Sequence, residues 1–180
     1  MNKRQIVAIN GSASRDSSNL AILKIIAELT EMELDMKILD DLSDLPHFQT
    51  ELTDKNVPEK IMKYRKEIAN ADGIIICTPE YVFSIPSGLK NMIEWCVSTT
   101  VFSDKPIGLI TASASGLKGH DELQLIMKTL MAKFTNKTTL LIQGVKGKIN
   151  EHGQLIDPKT YDDLMSFTNA FNNLVKIASN

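Results

Sequence analysis

The run Gly73-Ile74-Ile75-Ile76-Cys77 constrains this chain more than any other segment. A strand with one face in water alternates apolar and polar residues. A run without alternation is buried on both faces, as central strands of parallel sheets are. Parallel strands need long crossover connections, usually helical. The flanking sequence supplies them: strand-like runs fall at 5–10, 36–39, 106–112 and 138–142, and a helical pattern separates each strand from the next. Leu20, Ile22, Leu23, Ile25, Ile26, Ala27 and Leu29 lay a wide apolar stripe over residues 18–32. Ile61, Tyr64, Ile68 and Ala69 mark a second helix, and Leu89, Met92, Ile93 and Cys96 a third. Leu123, Ile126, Met127, Leu130 and Met131 mark a fourth. The last helix takes Asp157 as N-cap and Pro158 as its first residue, with Tyr161, Leu164, Phe171, Leu174 and Ala178 on one face. Residues 40–58 read as a polar loop. Its Asp40, Asp41 and Asp44 form a solvated turn, since the glycine and glutamate of a calcium loop are missing.

Strict alternation of strands and helices predicts an α/β architecture. The expected fold is a flavodoxin-like doubly wound sheet of five parallel strands, order 2-1-3-4-5, with helices on both faces. A length of 180 residues predicts one domain, 1–180. The formal charge of −2 argues against a broad basic surface for nucleic acid. Cys77 and Cys96 belong to no C-x-x-C pair, so neither a disulfide framework nor a zinc site is expected. No stretch approaches the length of a membrane span, and the expected compartment is the cytoplasm. Doubly wound folds bind ligands beyond the carboxyl ends of their strands, at the switch point between the first and third. That rule selects three loops: 11–19, 78–86 and 113–120.

The first loop holds Ser12, Ser14, Ser17, Ser18, Asn19 and Arg15 at a helix N-terminus. Unpaired backbone N–H groups there favour an anion, and hydroxyls add donors. The same residues equally suit a polar turn with Ser17 or Ser18 as N-cap. No G-x-x-x-x-G-K or G-x-G-x-x-G pattern is present. In the second loop Pro79 and Pro86 stiffen the backbone, while Tyr81 and Phe83 offer planar surface to a flat heterocycle or to packing. The third loop, with Ser113, Ser115, Gly116 and Gly119, is small enough for close approach of a ligand or for an ordinary turn.

Together these residues carry a resemblance. Gly11-Ser12 with Ser17-x-Asn19, then Thr78-Pro79-Glu80-Tyr81 and Ser84-Ile85-Pro86-x-x-Leu89-Lys90-Asn91-x-Ile93-Glu94-Trp95, resemble the NADPH-dependent FMN reductase family. The likeness runs over nearly the whole chain, including 151–157, which resembles a small hairpin before the last helix. It implies that Ser12, Arg15, Ser17, Ser18 and Asn19 hold the FMN phosphate. Pro79, Glu80, Tyr81 and Val82 would line the ring, largely through backbone groups, and Ser113, Ser115 and Gly116 would close its other side. The sequence departs from the family pattern in three places. The arginine of the first loop falls one position later than in many members. Val82 replaces an asparagine, and Gly119-His120 replaces a Gly-Gly pair.

The implied activity is a hydride shuttle. NADPH or NADH reduces bound FMN at N5, and a small acceptor (flavin, quinone, azo compound or metal oxyanion) then takes the same place in ping-pong fashion. The flavin carries the hydride, so no side chain is assigned a catalytic role and no metal is expected. The alternative is a flavodoxin-like FMN electron carrier or redox sensor that does not oxidise NAD(P)H. A homodimer or homotetramer is expected, with Trp95 helping to build a pocket from two chains. His120 and His47 are candidate contacts near the site, and His152 a turn residue.

Overall fold

The computed structural model describes residues 3–178. Five strands form one parallel sheet: β1 (Arg4–Asn10), β2 (Leu34–Leu39), β3 (Gly73–Thr78), β4 (Ile107–Ser113) and β5 (Thr139–Gln143). Their order is 2-1-3-4-5, as the sequence predicts. The helices are α1 (Ser18–Thr30), α2 (Glu59–Asn70), α3 (Ser87–Glu94), α4 (Leu117–Thr129) and α5 (Pro158–Ala178).

Every residue of β3 is buried, because successive side chains enter different cores. Ile74 and Ile76 join Val7, Ile9, Ile107 and Leu109 beneath α2, α3 and α4. Ile75 and Cys77 join Ile6, Ala8, Ile110 and Ala112 beneath α1 and α5. The unalternating apolar run is thus a strand between two helical layers. In register, Asn10 lies beside Cys77 and Thr78 beside Thr111, which brings the ends of β1, β3 and β4 level.

Several element edges differ from the sequence reading, each for a local reason. Helix α1 stops at Thr30, whose hydroxyl donates to the Ile26 carbonyl, and Met32 is left exposed. Helix α4 stops at Thr129. Met131, expected on its apolar face, is exposed with φ 59° and donates its N–H to the Lys128 carbonyl, while Ala132 donates to Met127. This pair of bonds is a Schellman cap with methionine in the left-handed position. On α5, Asp157 caps the helix by accepting the Thr160 N–H at 2.9 Å. The Thr160 hydroxyl and N–H, with Lys148 nearby, hold its carboxyl below the ordinary carboxylate range. The buried face is made by Leu164, Phe167, Phe171 and Val175, while Tyr161 and Ala178 face solvent. The buried face shares Leu164 and Phe171 with the expected one, and Tyr161 and Ala178 at its two ends lie outside it.

Residues 40–58 are a packed connection rather than a loose polar one. They include a 3-10 turn at Thr50–Leu52 and bury Leu42 and Leu45. The Pro46 carbonyl accepts from Asn91 Nδ2 at 3.0 Å and from Trp95 Nε1 at 2.8 Å. Phe48 sets its ring against Trp95 at 81°. Arg65 donates to the carbonyls of Thr53 and Trp95. Trp95 is therefore buried in its own chain, against the expectation that it serves a shared pocket. The 151–157 segment does form a small hairpin: Ile149 bridges Leu155, and Gly153 has φ 76°.

Candidate functional site

The first loop starts where β1 ends. Gly11 donates its N–H to the Cys77 carbonyl, so the loop crosses the end of β3 in close contact. A Cβ at Gly11 would lie 2.5 Å from Thr78 Oγ1 and 2.9 Å from Leu89 Cδ2, so any side chain there forces its neighbours to shift. The loop then builds its own shape. Asn10 Oδ1 accepts the Ser12 N–H, Ser12 Oγ accepts the Ser14 N–H, and Ser17 Oγ caps α1 by accepting from Leu20. The first turn of α1 contains no acidic side chain. The N–H groups of Ser18 and Asn19 precede the point where intrahelical bonding begins, so they are available to an anion.

Two residues of this loop behave differently from the expectation. Asn19 is buried: its Nδ2 donates to the Ala112 carbonyl and its Oδ1 accepts from Cys77 Sγ. Its side chain ties α1 to β3 and β4, and only its backbone faces the loop. Arg15 is exposed and lies on the side of Asp41, whose carboxyl is held low mainly by Ser43 and to a lesser degree by Arg15.

The second loop is held by distant groups. Tyr81 and Ser84 exchange two backbone hydrogen bonds, of 2.9 and 3.0 Å, around a two-residue turn. Val82 has φ 52° and Phe83 φ 60°. Such turns favour Asn-Gly, and a left-handed residue with a branched or bulky side chain costs about 1–2 kcal/mol. Both side chains are nonetheless open to solvent, Val82 at 95% and Phe83 at 76%. The Glu80 carboxylate reaches the third loop and accepts from Gly116 N at 3.2 Å and Gly119 N at 2.8 Å. Glu122 reaches back from α4 to accept from Ser84 Oγ and Ile85 N. Tyr81 Oη approaches Ser12 Oγ at 3.4 Å and links the second loop to the first. Pro79 is buried at the end of β3.

The third loop leaves β4 at the half-buried Ser113, exposes Ser115 and turns at Gly116. Gly116 has φ 84° and precedes α4, a conformation that suits glycine. His120 packs behind it, with Nδ1 2.9 Å from Thr111 Oγ1. Burial lowers its pKa below the ordinary histidine range, against the opposing charge of Asp121.

A cleft of about 590 Å³ opens beside the first loop. It gathers Ser12, Arg15, His47 and Tyr81, which the sequence singles out, with Asp40, Asp41 and Asn91. Asp40 and Asp41 carry no motif, and Asn91 belongs to the second motif without a role assigned to it; the packing of residues 40–58 against α3 brings them together here. Ser17, Ser18, Pro79, Glu80, Val82, Ser113, Ser115 and Gly116 lie outside that cleft, around the other loop edges at the switch point. Glu122 lies 38 residues beyond Ser84 in sequence, and nothing in the sequence signals it.

The residues present fit a bound phosphate-bearing flavin. Asn10 Nδ2 is fully buried at the base of the first loop with no hydrogen-bond partner. Gly11 lets the loop hug the sheet, the Ser18 and Asn19 N–H groups precede intrahelical bonding, and no carboxylate occupies the first turn of α1. That donor set suits the phosphate. Among the described residues, no group of three His, Cys, Asp or Glu side chains can hold a metal ion. No described helix is long and apolar enough to cross a membrane.

Fold and loops together define a flavodoxin-like α/β protein with a serine-rich first loop at its switch point. The chain belongs to the NADPH-dependent FMN reductase family, whose model matches residues 4–146. The members of that family are flavin-dependent oxidoreductases that use a nicotinamide donor. A quinone reductase of Escherichia coli is 26% identical over 97% of this chain and 96% of its own length. The NADH:(hydroxy)cinnamate reductase subunit CrdA of Vibrio ruber is 30% identical over 84% of this chain and 77% of its own length. Among solved structures, the flavoenzyme NAD(P)H:(acceptor) oxidoreductase FerB of Paracoccus denitrificans shares the fold. Its TM-score is 0.85 at 24% identity, over 97% of this chain and 98% of that one.

Proposed function

We propose that this chain uses FMN to pass a hydride from NAD(P)H to a small acceptor, with a quinone as the leading candidate. The quinone choice leans on relatives named as quinone reductases. The observation that carries the reading is the first loop, which holds the orphaned buried Asn10 Nδ2, the hydroxyls of Ser12, Ser17 and Ser18, and the Ser18 and Asn19 N–H groups that precede intrahelical bonding in α1. Ser12, Ser17, Ser18 and the backbone of Asn19 bind the phosphate, with Arg15 closing from outside. Pro79, Glu80, Tyr81 and Val82 orient one edge of the ring through their backbone, while Ser113, Ser115 and Gly116 bound the other. Bound FMN would supply the redox chemistry, as the carrier of a hydride (two electrons and one proton) between donor and acceptor.

Donor and acceptor occupy the same exposed face in turn, which gives ping-pong kinetics. A flavin, azo compound or metal oxyanion fits the same face by that logic. One domain, 1–180, carries these loops. In this reading the chain assembles as a homodimer or homotetramer.

Purified protein mixed with FMN is expected to show the visible flavin band, and anaerobic NADPH to bleach it rapidly. Protein that binds no FMN overturns the reading. Protein that binds FMN but is not bleached by NADPH or NADH is an electron carrier or sensor instead. Sedimentation as a monomer with FMN bound removes the oligomer.

A further inference from the structure

The turn at Val82 and Phe83 poses a physical problem that its own sequence does not solve. Two successive residues sit in the left-handed region, at φ 52° and 60°, and neither is Gly, Asn or Asp. Neither side chain is buried, so packing of those side chains does not offset the strain. The two Tyr81–Ser84 backbone bonds close the turn but are equally available to an unstrained Asn-Gly turn. Something outside the turn must select this conformation.

Two carboxylates do so in opposite directions. Glu80, just before the turn, accepts from Gly116 N and Gly119 N at the start of α4. Glu122, one helical turn further along α4, accepts from Ser84 Oγ at 2.6 Å and Ile85 N at 3.0 Å, just after the turn. A Cβ at Gly119 would lie 3.3 Å from Glu80 Cβ and 3.4 Å from the Ser84 carbonyl, so the turn and the helix already touch. Hydrogen bonds to a charged acceptor are stronger than neutral ones, and here they bracket the strained pair.

We propose that Glu122 is a positioning residue for the ring-side turn, forming with Glu80 a reciprocal clamp that holds Val82 and Phe83 left-handed and so sets the backbone edge presented to the flavin. The last clause rests on the function proposed above; the clamp itself does not. Neither carboxylate needs to touch the reacting atoms. The clamp also couples the second loop to the third, so a displacement of one is felt by the other.

The test compares wild type, Glu122→Ala, Glu122→Gln and Glu122→Ala combined with Val82→Asn and Phe83→Gly. In FMN-free protein, amide hydrogen exchange at Tyr81 and Ser84 is expected to quicken about tenfold or more in Glu122→Ala, with Ile75 in β3 unchanged. Glu122→Gln keeps one acceptor oxygen and falls between. The FMN dissociation constant is expected to rise about tenfold in Glu122→Ala. The added Asn-Gly turn, which needs no clamp, restores it. Unchanged exchange at Tyr81 and Ser84 in Glu122→Ala overturns the clamp. Weakened FMN binding that the Asn-Gly turn does not restore also overturns it, since a general loss of structure behaves that way. If wild type binds no FMN, the functional reading fails, and the exchange arm still decides the clamp.

Discussion

The first and second loops lie side by side at the carboxyl end of the sheet, joined by Ser12 and Tyr81, yet they are built on opposite principles. The first is assembled mostly from neighbours in sequence: Asn10 holds Ser12, Ser12 holds Ser14, and Ser17 holds Leu20. Its backbone is unstrained, and its residues are the types that favour such bonds locally. The second carries Val and Phe where a local turn calls for Asn and Gly, and is held by carboxylates anchored on α4. A loop that must bind phosphate needs donors, which local capping chemistry supplies. A loop that presents a strained backbone edge, as proposed for the second, needs an external brace.

Substitutions can break this contrast. The largest effect is expected at Gly11, the one point where the first loop depends on close packing. Gly11→Ala drives a methyl group into Thr78 and Leu89 and is expected to cost about 2–3 kcal/mol, read as a drop in the urea midpoint. Near-wild-type stability would show that the loop stands off the sheet. Next comes Asn19, the exception to local assembly. Asn19→Ala leaves the Ala112 carbonyl buried and unpaired, for a loss of about 2 kcal/mol. A loss no larger than that at Ser17 would place Asn19 among the local caps.

Ser17→Ala removes only the N-cap, and about 1 kcal/mol is expected. In the second loop the sign reverses. Val82→Asn relieves left-handed strain and is expected to raise stability by about 0.5–1 kcal/mol in chemical denaturation. A destabilised variant would mean that the Val82 side chain has a packing role. The smallest effect concerns His120 behind the third loop. Burial lowers its folded pKa, so the unfolded chain takes up the proton more readily. Stability from this group is present above the unfolded value of about 6.5 and is lost as pH falls below it, levelling once the folded imidazole protonates too. The denaturation midpoint of wild type should therefore fall more between about pH 7 and pH 5 than that of His120→Gln. Equal slopes would show that His120 is not the titrating group.

Legibility in the sequence follows the same division. The sheet order was readable because Gly73-Ile74-Ile75-Ile76-Cys77 has only one comfortable place, between two helical layers. Ser17 and Asp157 were readable as caps because a cap acts within three residues. Asn19 was singled out for the right loop, but its side chain turned inward, since the nearby ends of β3 and β4 offered buried partners. Trp95 was expected at a shared pocket and is instead covered by Phe48 and the Pro46 carbonyl. Polar composition concealed that cover, because residues 40–58 pack through a few apolar side chains and carbonyl groups rather than through an apolar run.

By itself, the sequence determined the class of fold and the local caps at Ser17 and Asp157. Those rest on hydrophobic period and short-range hydrogen bonding, which act along the chain. Tertiary structure alone decided that Asp40, Asp41 and Asn91 meet Arg15 and His47 in one cleft, that Asn19 faces inward, and that Glu122 braces the strained turn. Each of those outcomes joins residues far apart in sequence, and a partner that arrives only on folding leaves no periodic or local signal behind.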